Sequence, residues 1–203
     1  MLGRAAVAMW WDISPEMKTE FEDWHSREHM PERLAIPGFL RGTRWVAESG
    51  EPSYFVLYEV TNLATMTGGA YLERLNNPTP WSRKMMPHHR NMVRSLCALR
   101  AGWGGGLPQV LATVRLSKRL SDLPKRKGLT GVHLLESQPM AAAPQTAEQK
   151  IRGADGTADW VLLVGGYDIE AVKKVVADEL DAQPGRIVGL YRPAYSLSAG
   201  DRA

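Results

Sequence analysis

Gly102-Trp103-Gly104-Gly105-Gly106 lies at the middle of a 203-residue chain and divides it into two passes of one pattern. Three successive glycines lose the most backbone entropy on ordering and offer no side chain to pack, so the run is expected to interrupt regular structure. Before it, Ala5 to Ile13 is a continuous apolar run rich in strand formers. Ser14-Pro15 then reads as a helix N-cap and first helical position. Met17, Phe21 and Trp24 recur at spacings of four and three on one helical face, and Pro31 removes a backbone donor, which predicts a stop or kink near Met30. Gly38 to Glu48 and Ser53 to Val60 read as strands joined through Ser49-Gly50-Glu51-Pro52, a hairpin of turn formers. Asn62 caps a second predicted helix to about Leu75, and Asn91 to Ala101 resumes strand character.

After the glycines the pattern starts again. Leu107 to Leu116, Gly128 to Ser137 and Asp159 to Gly165 read as strands, Asp168 caps a helix through Leu180, and Arg186 to Leu197 closes the series. Gly38-Phe39-Leu40 through Glu48-Ser49 echoes Gly128-Leu129-Thr130 through Glu136-Ser137, and Phe55-Val56-Leu57 echoes Trp160-Val161-Leu162. The second pass reduces the first helix to a basic stretch, Ser117 to Lys127, and lengthens the hairpin loop from Pro139 to Gly156. The expected fold class is therefore α+β: two tandem ferredoxin-like βαββαβ repeats, residues 1–103 carrying a His/Glu cluster and residues 107–203 degenerate. Each repeat puts its helices on one face of an antiparallel sheet. The other face must be covered, either by the second sheet or by a second copy of the chain, so a homodimer is expected.

Composition excludes several classes. Hydrophobic residues make up 44% of the chain, enough for a packed core, and a formal charge of +3 is too small for a nucleic-acid-binding field. Arg41-Gly42-Thr43-Arg44-Trp45-Val46 partly echoes an RNA-recognition strand, but Thr43 and Arg44 break the motif. No run approaches the roughly 18 apolar residues of a membrane span. With Cys97 as the one cysteine, no internal disulfide can form, and a buried thiol in a reducing, cytoplasmic setting is the expectation.

The chemistry concentrates in Trp24-His25-Ser26-Arg27-Glu28-His29-Met30-Pro31-Glu32-Arg33. At 100° per residue from Met17, Glu28 falls at about 20°, on the apolar stripe, with His25 near 80° and His29 near 120°. A carboxylate buried there needs a partner, an imidazole or Arg33, and a histidine beside a partly buried carboxylate is an acid/base pair. His25 to His29 also spells H-x-x-E-H, the inverted zinc-peptidase signature, but a catalytic zinc needs a third ligand. Only His88, His89 and His133 remain to supply one. His88-His89-Arg90 precedes a strand and can face the first helix, with Trp81 lining a pocket nearby.

Trp24-His25-x-x-Glu28-His29-x-Pro31-Glu32-Arg33 followed by Ile36-Pro37-Gly38-Phe39 resembles the dimeric α/β-barrel superfamily, nearest to its EthD-like and muconolactone-isomerase-like groups. The resemblance covers about residues 5 to 101 by motif and 107 to 199 by pattern alone. It implies sheets packed as an α/β barrel and one site per chain, in a cleft between sheet and first helix that takes a small hydrophobic or aromatic molecule. Carried over residue by residue, His25, Glu28, His29 and Arg33 match its polar helix motif; from the reading of the residues themselves, His25, Glu28 and His29 are the acid/base candidates and Arg33, Trp24, Trp81 and His88 the ligand-binding ones. Isomerase, cyclase or cofactor-free oxygenase chemistry fits such a site. No cofactor is expected, although relatives of this kind include haem-binding members, and a haem or divalent-metal protein is the alternative. A non-catalytic ligand-binding or assembly module is the third reading.

Overall fold

The computed structural model describes residues 1–48, 52–138, 145–153, 155–180 and 186–201. Its strands are β1 (Ala5–Ile13), β2 (Phe39–Ala47), β3 (Tyr54–Val60), β4 (His89–Gly104), β5 (Val110–Leu116), β6 (Leu129–Ser137), β7 (Trp160–Gly166) and β8 (Ile187–Ser198). They form a closed antiparallel barrel in the cyclic order β1-β3-β2-β8-β5-β7-β6-β4. The first four strands run β4-β1-β3-β2 and the last four β8-β5-β7-β6, the same order twice, and the β2–β8 and β4–β6 pairs join the halves. Every strand edge is thereby paired within one chain, and the barrel is complete without a second copy.

β1 shows why its sequence is apolar at every position. Ala6, Ala8 and Trp10 join the core enclosed by the strands, with Trp45, Phe55, Leu135, Val161 and Tyr191. Ala5, Val7, Met9, Trp11 and Ile13 instead meet a layer of helices. All nine residues are buried, as in strands covered on both faces. The barrel interior is filled rather than open: the Trp10 and Phe55 rings lie 4.9 Å apart, Phe55 and Tyr191 5.8 Å apart, and Trp10 Nε1 donates to Thr113 Oγ1 across the core at 3.0 Å. Cys97 is fully buried in this layer, and burial pushes its thiol up to about 12.

Helices α1 (Lys18–Trp24), α2 (Met30–Leu34), α3 (Gly69–Asn76) and α4 (Pro80–Met85) cover the first half. In the second half, α6 (Ile169–Leu180) packs Val172 and Val175 on β5 and β7, and Asp168 Oδ1 caps it by accepting from the backbone of Glu170 and Ala171. No described helix is long and apolar enough to cross a membrane. Residues 117–128 carry no helix, as the sequence suggested.

Several boundaries differ from the sequence expectation. Strand β4 does not stop before the glycines but runs through Gly104, pairing Gly102 with His133 and Gly104 with Gly131. A Cβ at Gly102 would lie 2.4 Å from His133 Nδ1, and Gly104 has φ +72°, so both positions need glycine because the strand continues there. The break falls at Gly105-Gly106. The second predicted helix divides into a turn of 3-10 helix at Leu63–Met66, capped by Asn62, and the separate α3. Turn residues 49–51 and part of the long loop after Pro139 lie outside the described residues.

That long loop contributes α5 (Ala147–Arg152), whose first turn is fixed by a capping box between Thr146 and Gln149. Gly156 exchanges backbone hydrogen bonds with the β4 strand, accepting from Arg94 and donating to Met92, each at 2.8 Å. This pins α5 of the second half onto the helices of the first, where Glu148 forms an ion pair with Arg33; both side chains are about 5% exposed or less. Removing one partner of a buried pair strands the other charge, at a cost of about 3–5 kcal/mol, whereas replacing both with apolar side chains is near neutral. Glu148→Ala is therefore expected to destabilise by about that amount in urea unfolding, and Arg33→Met/Glu148→Leu to recover most of it.

Candidate functional site

The first helix is not interrupted at Met30. It passes through a π-turn at His25–His29 and continues as α2, with Met30 N–H donating to His25 O five residues back. The widened turn reconciles the helix with Pro31, which has no N–H to donate and whose ring would crowd the carbonyl of Arg27 in a regular α-helix. It also re-aims every side chain after it. His25 and His29 come together, ring centroids 5.5 Å apart, with the tilted Trp24 ring 4.5 Å from His29.

These rings form a wall of a small cavity between helix and sheet. Met9 and Trp11 of β1, His89 and Met92 of β4, Met86, and Arg152 of α5 complete it. The void is about 320 Å³ including its mouth, of which about 30 Å³ admits the centre of a water molecule, room for about two waters. Three buried polar atoms of its lining have no hydrogen-bond partner: His25 Nδ1, His29 Nδ1 and Trp11 Nε1. Leaving such groups unpaired costs about 1–3 kcal/mol each, so water or a polar ligand group in the void is needed to satisfy them.

The electrostatics keep the imidazoles neutral. Burial, followed by the Arg44 guanidinium, holds His25 well below the ordinary imidazole range. Burial and then Arg33 do the same for His29. His89 is pushed down to about 3 by burial and the charge of Arg152, despite the carbonyl of Met86 3.2 Å from its Nδ1.

Not every residue singled out in the sequence reaches this cavity. Glu28 is half-buried but points away: its Oε1 accepts from Thr79 Oγ1 at 2.6 Å and Trp24 Nε1 at 3.2 Å, so it holds the tryptophan and the start of α4 rather than an imidazole. The expected His25, Glu28 and His29 convergence is corrected to a His25–His29 pair, because the π-turn departs from 100° per residue. Arg33 is spent on Glu148 and is not open to a ligand. Trp81 Nε1 donates to Glu20 Oε1 at 3.3 Å, outside the cavity. His88 is also outside it, and its neighbour His89, the first residue of β4, takes the expected place. His133 lies on β6 at a separate pocket with Arg41 and Glu59. Sequence reasoning missed Arg152, Trp11 and the three methionines. The spacing of Arg152 from the helix gave no signal, while Trp11 was hidden in an apolar strand.

Among the described residues, no group of three or more His, Cys, Asp or Glu side chains is placed to hold a metal ion. As it stands, the cavity beside His25 and His29, about 320 Å³ including its mouth, is too small for a porphyrin.

The depressed imidazoles have a thermodynamic consequence. Above the ordinary histidine range both folded and unfolded states are neutral at these positions. As pH falls through about 6.5 the unfolded chain takes up protons that the folded chain refuses, so stability falls. Each of His25, His29 and His89 adds a slope of up to about 1.4 kcal/mol per pH unit below that point. Urea unfolding at about pH 7.5, 6.5 and 5.5 is expected to show this loss. His89→Phe should flatten the slope by about one proton's worth.

No family model matches the chain, and no curated protein matches it. Solved structures do. An anthrone oxidase-like protein superimposes with TM-score 0.58 at 10% identity, covering 98% of this chain and 94% of that one. A protein assigned by name as a monooxygenase from Fusobacterium nucleatum gives 0.55 at 10% identity, covering 98% and 96%. Another so assigned, from Lactobacillus acidophilus, gives 0.56 at 10%, covering 96% of each chain. At that identity the likeness speaks for architecture alone, and the chain has the α+β fold of these proteins, an eight-stranded antiparallel barrel of the dimeric α+β barrel type.

Proposed function

We propose that the cavity between the first helix and β1 is a proton-transfer site for a small, electron-rich aromatic or enolisable molecule, acting without a bound cofactor. The observation that carries this reading is the pair of imidazoles, the buried His25 and the half-buried His29, whose Nδ1 atoms have no protein partner at a void lined by tryptophan and methionine. A neutral imidazole with an unused ring nitrogen can accept a proton from a phenolic O–H or an acidic C–H. Isomerisation, cyclisation and oxidation of the resulting anion by dioxygen all begin with that step. The anthrone oxidase-like and monooxygenase-named proteins that share the fold support the oxidative branch. The shared strand order of the two halves supports their reading as a tandem repeat of one unit.

The void is water-sized, so an organic ligand must enlarge it. Met9, Met86 and Met92 form much of its wall, and methionine, unbranched with three rotatable bonds, repacks at low cost. Trp24 is less free, since its Nε1 is shared between Glu28 and Ser82 Oγ. Glu28 is then a positioning residue that fixes the aromatic wall.

The test is dioxygen consumption and product formation with anthrone, simple naphthols and cyclic 1,3-diketones. His25→Ala and His29→Ala are expected to lower kcat by about 10²–10⁴-fold in the oxidation or isomerisation detected. Glu28→Gln should act mainly through KM. Turnover that is unchanged in both histidine variants overturns the assignment.

A further inference from the structure

Among the described residues the cavity has one charged side chain, and it comes from the other half of the chain. Arg152 is the last residue of α5, its side chain is 9% exposed, and it lines the same void as His25, His29 and His89. Its Nε donates to Asp155 Oδ1 at 3.0 Å and its Nη2 to Asp155 Oδ2 at 2.5 Å. This bidentate grip fixes the plane of the guanidinium and leaves Nη1 without a partner among the described residues. Trp11 Nε1, a donor with no acceptor, lies in the same lining. Arg33, paired with Glu148, and Arg44, donating to Glu22 O at 3.1 Å, do not line the void; Arg152 does, with Nη1 beyond its pair with Asp155.

We infer that Arg152 and Trp11 Nε1 receive the oxygen of a ligand that binds as an anion, the oxyanion of an ionised phenol or enol, beside His25 and His29. This rests on the reading of the cavity as the ligand site. The chemistry is complementary: a proton leaving the ligand goes to a neutral imidazole, and the negative oxygen left behind needs a fixed cation and N–H donors already in place. Neutral histidines alone would not stabilise it. The guanidinium also explains why an insertion in the second half is anchored so firmly over the first, through the Glu148–Arg33 pair and the Gly156 backbone bonds.

The experiment uses 4-nitrophenol as probe, because its absorption reports the ionised fraction directly and needs no turnover. Wild-type protein, Arg152→Gln, Arg152→Lys and Asp155→Asn are titrated across about pH 5 to 9. An opposite charge within contact range moves an ionisation by about one unit or more, so the bound probe should ionise at least about tenfold more readily than free probe. Arg152→Gln is expected to abolish that shift while binding persists, Arg152→Lys to retain most of it, and Asp155→Asn, which removes the competing carboxylate, to enlarge it. A shift that survives Arg152→Gln overturns the inference and leaves the site reading standing. Loss of the shift in Asp155→Asn as well assigns the pair a structural role and also overturns it. Absence of binding to wild-type protein, or binding that persists in His29→Trp, sinks both readings.

Discussion

Closure of the barrel is the constraint on which the rest of the molecule depends. An unpaired strand edge exposes a row of N–H and C=O groups, and here the last edge of each half is met by the other half of the same chain, β2 with β8 and β4 with β6. Closure requires the enclosed space to be filled, and Trp10, Trp45, Phe55 and Tyr191 fill it. The cavity beside His25 and His29 lies outside that core, in the layer between sheet and helices. A βαββαβ half has helices on its outer face, and in the first half the helix running through α1 and α2 walls a cavity there. The second half lacks that helix, and Val172 and Val175 of α6 pack directly on its strands.

Inside that outer layer, one local distortion decides which side chains meet. A regular helix through Pro31 would lose a hydrogen bond and clash with the carbonyl four residues back, at about 3 kcal/mol or more. The π-turn at His25–His29 absorbs this within a continuous rod. In doing so it turns Glu28 toward Thr79 and leaves His25 against Trp11 and Phe21, with His29 against His25 and Trp24. The proline and the histidine pair are thus coupled: the backbone device that tolerates one orients the other. Such widened turns recur at functional sites because they place side chains that a regular helix would splay.

This explains what was legible in the sequence and what was not. The apolar runs, the caps at Asn62 and Asp168 and the repeated strand pattern are local signals, and they located the strands of both halves to within a few residues. Trp24, His25 and His29 were identifiable because they stand close together on one element. Glu28 was misread, since a helical wheel at constant pitch cannot anticipate a π-turn. Gly102 was read as a breaker when its role is to let His133 of β6 approach, a contact between residues about thirty apart in sequence. Arg152 and Glu148 were invisible for the same reason in stronger form. Their significance depends on where a long loop returns across β4, and neither composition nor periodicity records that.

The electrostatic design follows from combining these parts. Burial and the charges of Arg44, Arg33 and Arg152 all oppose protonation of the imidazoles. A base so depressed would take a proton poorly from a neutral donor whose anion then left the site. The balance changes when the anion stays, because a negative oxygen near the rings favours the imidazolium that its own proton creates. Proton transfer and anion retention are then one event, and the groups that serve them sit on different halves of the chain: the histidines on the π-turn of the first, the guanidinium on α5 of the second. A half-barrel alone would hold the bases without the charge that makes their use favourable. On the proposed reading, the second half supplies a charged group to the cavity in addition to closing the sheet.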